Sequence, residues 1–465
     1  MENKKILEML NNQKEEFNYT IKETAIILAA GHGKRIKSHT SKMLHKIWEK
    51  PTVERVADAC KKGMNDVNSI IVVGIKAEDV MESIGKCKNT IFAYQEVQHG
   101  TGHAVQVAIE KIENDYDGTV YILPGDMGLI DADTLFNFKD NFIKSSADMM
   151  VLTGLYEGSP ENNSYGRIVR VKNEDVEGNN SGEDAGKVIE IIEYKDILSL
   201  KEGESYLTTF NGKKYSFSKK ELLENNEFNS GVYAVNYRKL KKHLSEINSD
   251  NAQGEIYVTD LIGIFNNNGL TVRAVHPHEQ HVLMGFNNKS VLLEMENIAR
   301  KQTYELIKDI IEIESPEDFF IHEDVVNDIL ELDKTGIPLD IKIGKGTYIG
   351  KGVKINRNLS VMKNAYLKGN IVLGENVSIW ENVHLSTFDS QIMKIGDNSE
   401  ILWGDIVKGN ITIGKNTRIE SSVNMTGSDE YPIVIGDNVT IKGTSYLFGS
   451  RIDSDVFVEH SILIK

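Results

Sequence analysis

A chain of 465 residues is too long for one ordinary core, so two or three domains are expected. A formal net charge of −16 argues against nucleic acid or an anionic membrane as partner, and Cys60 and Cys87 alone leave no disulfide framework and no cysteine-rich zinc site. No apolar run follows Met1-Glu2-Asn3-Lys4-Lys5 and none elsewhere nears membrane-spanning length, so the expected location is cytoplasmic.

Residues 1–22 place Ile6, Leu7, Met9, Leu10 and Phe17 among charges, which suggests an amphipathic helical extension. From Thr24 to about Ser290 short apolar runs alternate with helical periods, the pattern of a parallel sheet covered on both faces. The first run, Ala25 to Ala30, breaks into Gly31-His32-Gly33-Lys34-Arg35. With Lys37, Lys42 and Lys46 this makes five cations and no carboxylate between Ala25 and Trp48. A polyanion is the simplest partner for that window, because glycines let backbone N–H groups approach a phosphate and Lys and Arg neutralise it. The spacing is neither the GxxxxGK[ST] loop nor the dinucleotide fingerprint. Ligands in such sheets sit beyond the carboxyl ends of the strands, where Gly31 and Asp126 would both lie.

Lys172 to Lys187, polar and glycine-rich between two alternating runs, reads as a long hairpin loop; Ser199 to Phe228 is a second polar insertion of unassigned structure. Lys289 to Ile311 reads as a connector helix with a stripe of Leu292, Met295, Ile298, Leu306 and Ile310. From Ile341 an aliphatic residue followed by glycine recurs, as in Ile343-Gly344, Ile349-Gly350, Leu373-Gly374, Ile395-Gly396, Ile413-Gly414 and Ile435-Gly436. The glycines are separated by multiples of six or by twenty-two, the latter leaving four extra residues for a loop, one of them around Gly427 to Glu430. A six-residue period is the mark of a parallel β-helix.

The LAAG-x-G-x-R stretch with Ser41-Lys42-Met43-Leu44-His45 resembles the signature loop of sugar-1-phosphate nucleotidyltransferases. Further stretches follow in order: Gln95-Glu96-Val97-Gln98-His99-Gly100-Thr101-Gly102-His103-Ala104, Gly125-Asp126, Tyr165-Gly166-Arg167-Ile168, Ile192-Glu193-Tyr194-Lys195-Asp196, Asn229-Ser230-Gly231, Asn251-Ala252-Gln253-Gly254-Glu255 and Gly285-Phe286-Asn287-Asn288-Lys289. Together they resemble the bacterial UDP-N-acetylglucosamine pyrophosphorylases, the nucleotidyltransferase half of the GlmU family, over about residues 23 to 335.

The resemblance implies an α/β fold: a Rossmann-like nucleotidyltransferase domain with a mixed, mostly parallel sheet, then a connector helix and a left-handed parallel β-helix. The expected domains are 1–22, 23–289, 290–335 and 336–465. It also implies roles. Leu28, Ala29, Ala30 and Gly31 would contact the nucleotide through backbone, with Gly125 on the same side; Gln95, Gly100 and Thr101 would read the uracil edge. Arg35 and Lys42 would hold the triphosphate as the catalytic cations. Asp126 and Asn287 would bind Mg²⁺, which takes few protein oxygens and fills its shell with phosphates and water. Gly166, Glu193 and Asn229 would contact sugar and ribose hydroxyls. The blander readings are an N-cap for Asn287, a surface amide for Gln95 and a surface ion pair with Lys195 for Glu193.

The implied reaction is Mg²⁺-dependent uridylyl transfer from UTP to N-acetylglucosamine-1-phosphate. The alternatives are another sugar-1-phosphate or nucleotide, a bifunctional enzyme that also acetylates glucosamine-1-phosphate, and a sugar-nucleotide-binding regulatory subunit. Ser41, Lys34, Glu49, Pro124 and Gly128 depart from the family pattern without removing a proposed ligand, and the two insertions flank the expected sugar site. The β-helix is short and its His384 and His460 lack the surroundings of the family's acetyltransferase site, so its expected role is assembly into a homotrimer.

Overall fold

Strand Glu23–Ala29, the apolar run that leads into the glycine turn, lies inside a nine-stranded sheet, paired in parallel with Asn68–Val73 on one side and Thr119–Pro124 on the other. The computed structural model describes residues 2–13, 15–31, 33 and 36–465, and divides into two compact units, Met1–Met295 and Glu296–Lys465. In the first unit the sheet runs Val272–Val275, Met149–Leu155, Glu227–Asn236, Thr119–Pro124, Glu23–Ala29, Asn68–Val73, Thr90–Tyr94. Glu227–Asn236 is antiparallel to both its neighbours, and the hairpin Arg167–Arg170 with Val188–Ile192 joins at its end; the remaining pairs along the path are parallel. This is the mixed, mostly parallel sheet that the alternating pattern implies.

Both faces are covered, which is why these strands are apolar throughout rather than alternating. Ile27, Ile71 and Leu123 pack with Val53, Val56, Leu135 and Phe138 of helices Thr52–Met64 and Ala132–Ser145. Ile26, Ile70 and Ile122 pack with Val105, Ala108 and Leu261 of Thr101–Ile109 and Asp260–Asn267 on the other face.

Three expectations are corrected in detail. The N-terminal helix is Glu2–Asn12, shorter than expected; further on, Asn18 Oδ1 accepts from Thr20 N at 3.0 Å in a turn ahead of the first strand, and Phe17 packs edge-on against Tyr116. The connector helix is Lys289–Ile307, and its buried stripe is Met295, Ala299, Thr303 and Ile307 at four-residue spacing, while Leu306 is exposed. The β-helix pairing starts early: Glu312–Ile313 pairs with Lys342–Ile343, and Phe319–Ile321 with Thr347–Ile349.

The two insertions form one module. Ser199–Phe228 contains the hairpin Ser205–Phe210/Lys213–Ser218 and the helix Lys219–Glu224, which starts at a Ser218/Glu221 capping box. Asn211-Gly212 makes its turn, both residues at positive φ. Phe210, Tyr215, Phe217 and Leu222 form a small core with Val171 and Ile189, and the first insertion is tied in by Ser181 Oγ to Tyr215 OH at 3.0 Å.

The second unit stacks its strands into three parallel sheets of eight, eight and six, a β-helix with the left-handed class expected of hexapeptide repeats. The repeating aliphatic residues face inward, from Ile343 through Ile379, Ile401 and Ile419 to Ile441, all buried. One corner is an asparagine ladder: Asn376, Asn398, Asn416 and Asn438 each donate from Nδ2 to the next rung, at 3.0, 3.0, 3.0 and 2.8 Å, the last to Asp455. All four asparagines have positive φ, a conformation that Asn tolerates, so the same residue turns the corner and joins the coils.

Gly409 is a sharper constraint. Its φ is +94°, and a Cβ there would collide with the Gly427 carbonyl of the next coil. Gly409→Ala is expected to cost about 3 kcal/mol or more, from backbone strain and overpacking together. A drop in the denaturant midpoint of the C-terminal unit checks it; an unchanged midpoint would contradict it.

Candidate functional site

Two adjacent parallel strands end together. Leu28 pairs with Pro124, the Leu28 carbonyl accepts from Gly125 N at 3.0 Å, and the Ala30 carbonyl accepts from Ile75 N at 3.2 Å. The Ala30–Gly31 turn and Gly125-Asp126 therefore emerge side by side at the carboxyl edge, the place where α/β sheets bind ligands. Arg35 lies outside the described residues. Lys42 opens a single helical turn, Lys42–Leu44, and its stem passes Gly33 so closely that a Cβ on Gly33 would lie 2.7 Å from that of Lys42.

The Lys42 ammonium joins residues remote in sequence. It pairs with Asp126 Oδ2, donates to Asn287 Oδ1 at 3.1 Å, and lies 5.4 Å from the centre of the Phe286 ring. The Lys42 and Asp126 side chains are 12% and 14% exposed, so the pair is shielded from water. Lys37 and Lys46, from the same acid-free window, are exposed. The N-cap reading of Asn287 is corrected: Asn288 Oδ1 accepts from Val291 N at 2.9 Å and caps the helix, leaving the Asn287 side chain to the site.

The donor set suits a hard cation. A carboxylate oxygen and an amide oxygen converge on one positive charge, and among the described residues no group of three or more His, Cys, Asp or Glu side chains is placed to hold a metal ion. Two protein oxygens are what Mg²⁺ typically takes when phosphates and water supply the rest of its shell.

A second group lies at the antiparallel strand. The register shifts between Asn229, which still pairs with Thr153, and Val232, a bulge that leaves Ser230 and Gly231 without partners in the ladder. Asn229 N donates to the Gly166 carbonyl at 2.9 Å, and Asn229 Oδ1 accepts from Tyr233 OH and Gly231 N, both at 2.9 Å. Glu193 Oε1 lies 3.3 Å from where a Cβ on Gly166 would be. Burial, reinforced by Asp196 and Asp260, pushes the Glu193 carboxyl up to about 7. The ion-pair reading of Glu193 gives way here: the Lys195 ammonium goes to Gln253 Oε1. Tyr165 stacks on Phe228 at 4.5 Å, and its burial, reinforced by the Asp126 charge, holds its phenol above the ordinary value. Tyr165, Tyr233 and Phe286 have no role legible from motif spacing alone; each lies inside or beside a family-like motif, the only signal for them.

Gln95, Gly100 and Thr101 form a third group. Gln95 is 2% exposed, which excludes a surface amide. Its Nε2 donates to the Gly100 carbonyl at 3.2 Å and lies 3.0 Å from His103 Nδ1, so the amide nitrogen already holds this turn. Thr101 Oγ1 accepts from Val258 N at 3.2 Å at the start of its helix. In the β-helix, His384 stacks on Tyr366 at 4.8 Å, and His460 Nδ1 is 2.8 Å from the Gly443 carbonyl, positions that serve the coil stack.

Residues 25–173 match the MobA-like NTP transferase domain family. The bifunctional protein GlmU of Caldanaerobacter subterraneus subsp. tengcongensis is 33% identical over 326 residues, covering 70% of this chain and 59% of the relative. That of Acetivibrio thermocellus is 35% identical over 305 residues, covering 65% and 57%. The chain thus spans under three fifths of the length of these relatives. A crystal structure of UDP-glucose pyrophosphorylase complexed with UDP-glucose covers 61% of this chain and all of that one at 15% identity, with a TM-score of 0.43.

Proposed function

We propose that this GlmU-like chain, a sugar-1-phosphate nucleotidyltransferase, moves a uridylyl group from UTP to N-acetylglucosamine-1-phosphate, releasing pyrophosphate, with Mg²⁺ as cofactor. The observation that carries the reading is the meeting of Lys42, Asp126 and Asn287 at the end of the first strand. A phosphate monoester is largely ionised near neutrality, its second pKa being about 6, so its oxygen can attack the α-phosphorus of the nucleotide without a general base. A P–O bond forms to the acceptor as the bond to pyrophosphate breaks. The protein's task is to position two polyanions and offset their repulsion.

Lys42 supplies a fixed positive charge within reach of the phosphates, and the Ala30–Gly31 turn offers backbone N–H groups. Asp126 and Asn287 would hold Mg²⁺, which neutralises triphosphate charge and polarises its oxygens when bound. Glu193, Asn229 and the Gly166 backbone are the proposed contacts for sugar hydroxyls. Gln95 orders the Gly100-Thr101 turn that would face the base. The proposed location is cytoplasmic; among the described residues no helix is long and apolar enough to cross a membrane. The β-helix is proposed to assemble the chain as a homotrimer.

Pyrophosphate release with Mg²⁺ and UTP tests the reading, comparing N-acetylglucosamine-1-phosphate, glucosamine-1-phosphate and glucose-1-phosphate. Turnover with the first at least about tenfold above the others in kcat/KM is expected, a margin of roughly 1.4 kcal/mol in transition-state binding. Preference for another sugar would overturn the substrate; no release with any of them, across all four ribonucleotides and dTTP, would overturn the enzyme.

A further inference from the structure

The module built from the two insertions leaves a cavity of about 640 Å³ at its junction with the sheet domain, within the size range of small-molecule sites. Its apolar wall is Tyr194 and Leu198 from helix Tyr194–Ser199 and Leu223 from helix Lys219–Glu224. The Tyr194 ring is held at 5.7 Å from the buried Arg167 guanidinium, which fixes that wall. We propose that the cavity binds a small amphipathic amine, at a site separate from the one that joins Lys42, Asp126 and Asn287.

The charges choose the sign of the ligand. Glu161, Glu202, Glu204 and Glu224 line the cavity. The two lysines there are otherwise engaged: the Lys219 ammonium donates to the carbonyls of Leu198 and Leu200 at 2.9 and 2.7 Å, and Lys220 lies 3.8 Å from Glu224. Four exposed carboxylates against two ammonium groups give the lining a net negative charge. Nucleotides and sugar phosphates are repelled by such a field, so the cavity is no extension of a phosphate site. A hydrocarbon body fits the Tyr194–Leu198–Leu223 wall while a cationic head meets the carboxylates, and the aromatic face adds to the attraction.

The test titrates the full chain, in low salt, with phenethylamine and with its anionic counterpart phenylacetate, followed by ligand-observed NMR and calorimetry. The binding readout is independent of whether the chain transfers uridylyl groups. Phenethylamine is expected to bind at least about tenfold more tightly than phenylacetate and to weaken as salt rises. Leu198→Trp, at an exposed position, puts a bulkier ring on the apolar wall where the hydrocarbon body would lie and is expected to lose binding about tenfold or more with an unchanged melting temperature. The paired change Glu204→Gln and Glu224→Gln is expected to remove the preference for the amine over the acid. Equal binding of both probes, binding of neither, or full binding retained by Leu198→Trp would overturn the proposal.

Discussion

Lys42→Met is expected to lower kcat by about 10²–10³-fold, the usual cost of removing one preorganised charge from a site where negative charge builds. Among the described residues the ammonium joins Asp126 and Asn287, so its removal would do more than delete the proposed phosphate contact. It would leave a shielded carboxylate and an amide oxygen without the ammonium that joins them, a less favourable arrangement for both. Asp126→Asn removes the other half of the pair and is expected to lose activity by a similar or larger factor. Because the two residues act as a unit, the double variant should be little worse than the poorer single one. Steady-state kinetics on the three variants, with circular dichroism to show that each folds, would check this. Losses that multiply in the double variant would show that Lys42 and Asp126 act separately, and an active Lys42→Met would remove the residue from the mechanism.

The second large effect concerns the β-helix. Asp405 stands at an inward position, fully buried, in the register column occupied by Val383 one coil before and Val423 one coil after. Its Oδ1 accepts from Val423 N at 2.8 Å, while its buried Oδ2 has no hydrogen-bond partner. Burial pushes the carboxyl up to about 8, against an ordinary value of 3.8, with backbone hydrogen bonds only partly opposing the rise. The folded unit therefore holds this proton more tightly than the unfolded chain does. Its contribution is fully present below about pH 4 and is lost as pH climbs towards and through about 8.

Asp405→Asn cannot ionise and keeps an oxygen for Val423 N. The variant's C-terminal unit is expected to gain on the parent by a few kcal/mol between pH 5 and 9, roughly 5–10 °C in melting temperature. The comparison cancels the titration of every other carboxylate, so only the pH dependence of the difference matters. Parallel melting curves for the two proteins across that range would refute the buried acid as its source.

The sequence exposed what is periodic and concealed what depends on distant partners. The aliphatic-glycine repeat of the second unit was legible because each coil buries the same kind of residue at the same spacing. The sheet domain was legible because strands covered on both faces must be apolar throughout. The acid-free window around Lys42 told less than it promised: the acid that matters, Asp126, is far along the chain, and Lys37 and Lys46 of the same window are exposed. Which of two adjacent asparagines capped a helix could not be read locally, since Asn287 and Asn288 both suit that role; folding gave it to Asn288. The blander surface-amide reading of Gln95 stayed open in the sequence because its partners, Gly100 and His103, become neighbours only when the turn closes. The Ser205–Ser218 hairpin was readable and passed over: Asn211-Gly212 between alternating residues is a strong turn signal. The proposed hydroxyl contacts of Glu193 and Asn229 depend on a substrate that no spacing encodes.

The coil stack has a consequence for how damage spreads. Along each sheet a strand pairs only with the strand before and the strand after it, and the asparagine ladder follows the same rule. Such an array behaves like a row of coupled units whose stability is a sum of nearest-neighbour terms. A lesion at Gly409 would then act less as a uniform weakening than as a cut. It would divide one long cooperative run into two shorter ones, each free to fray from its new end while the coils furthest from the break keep their register.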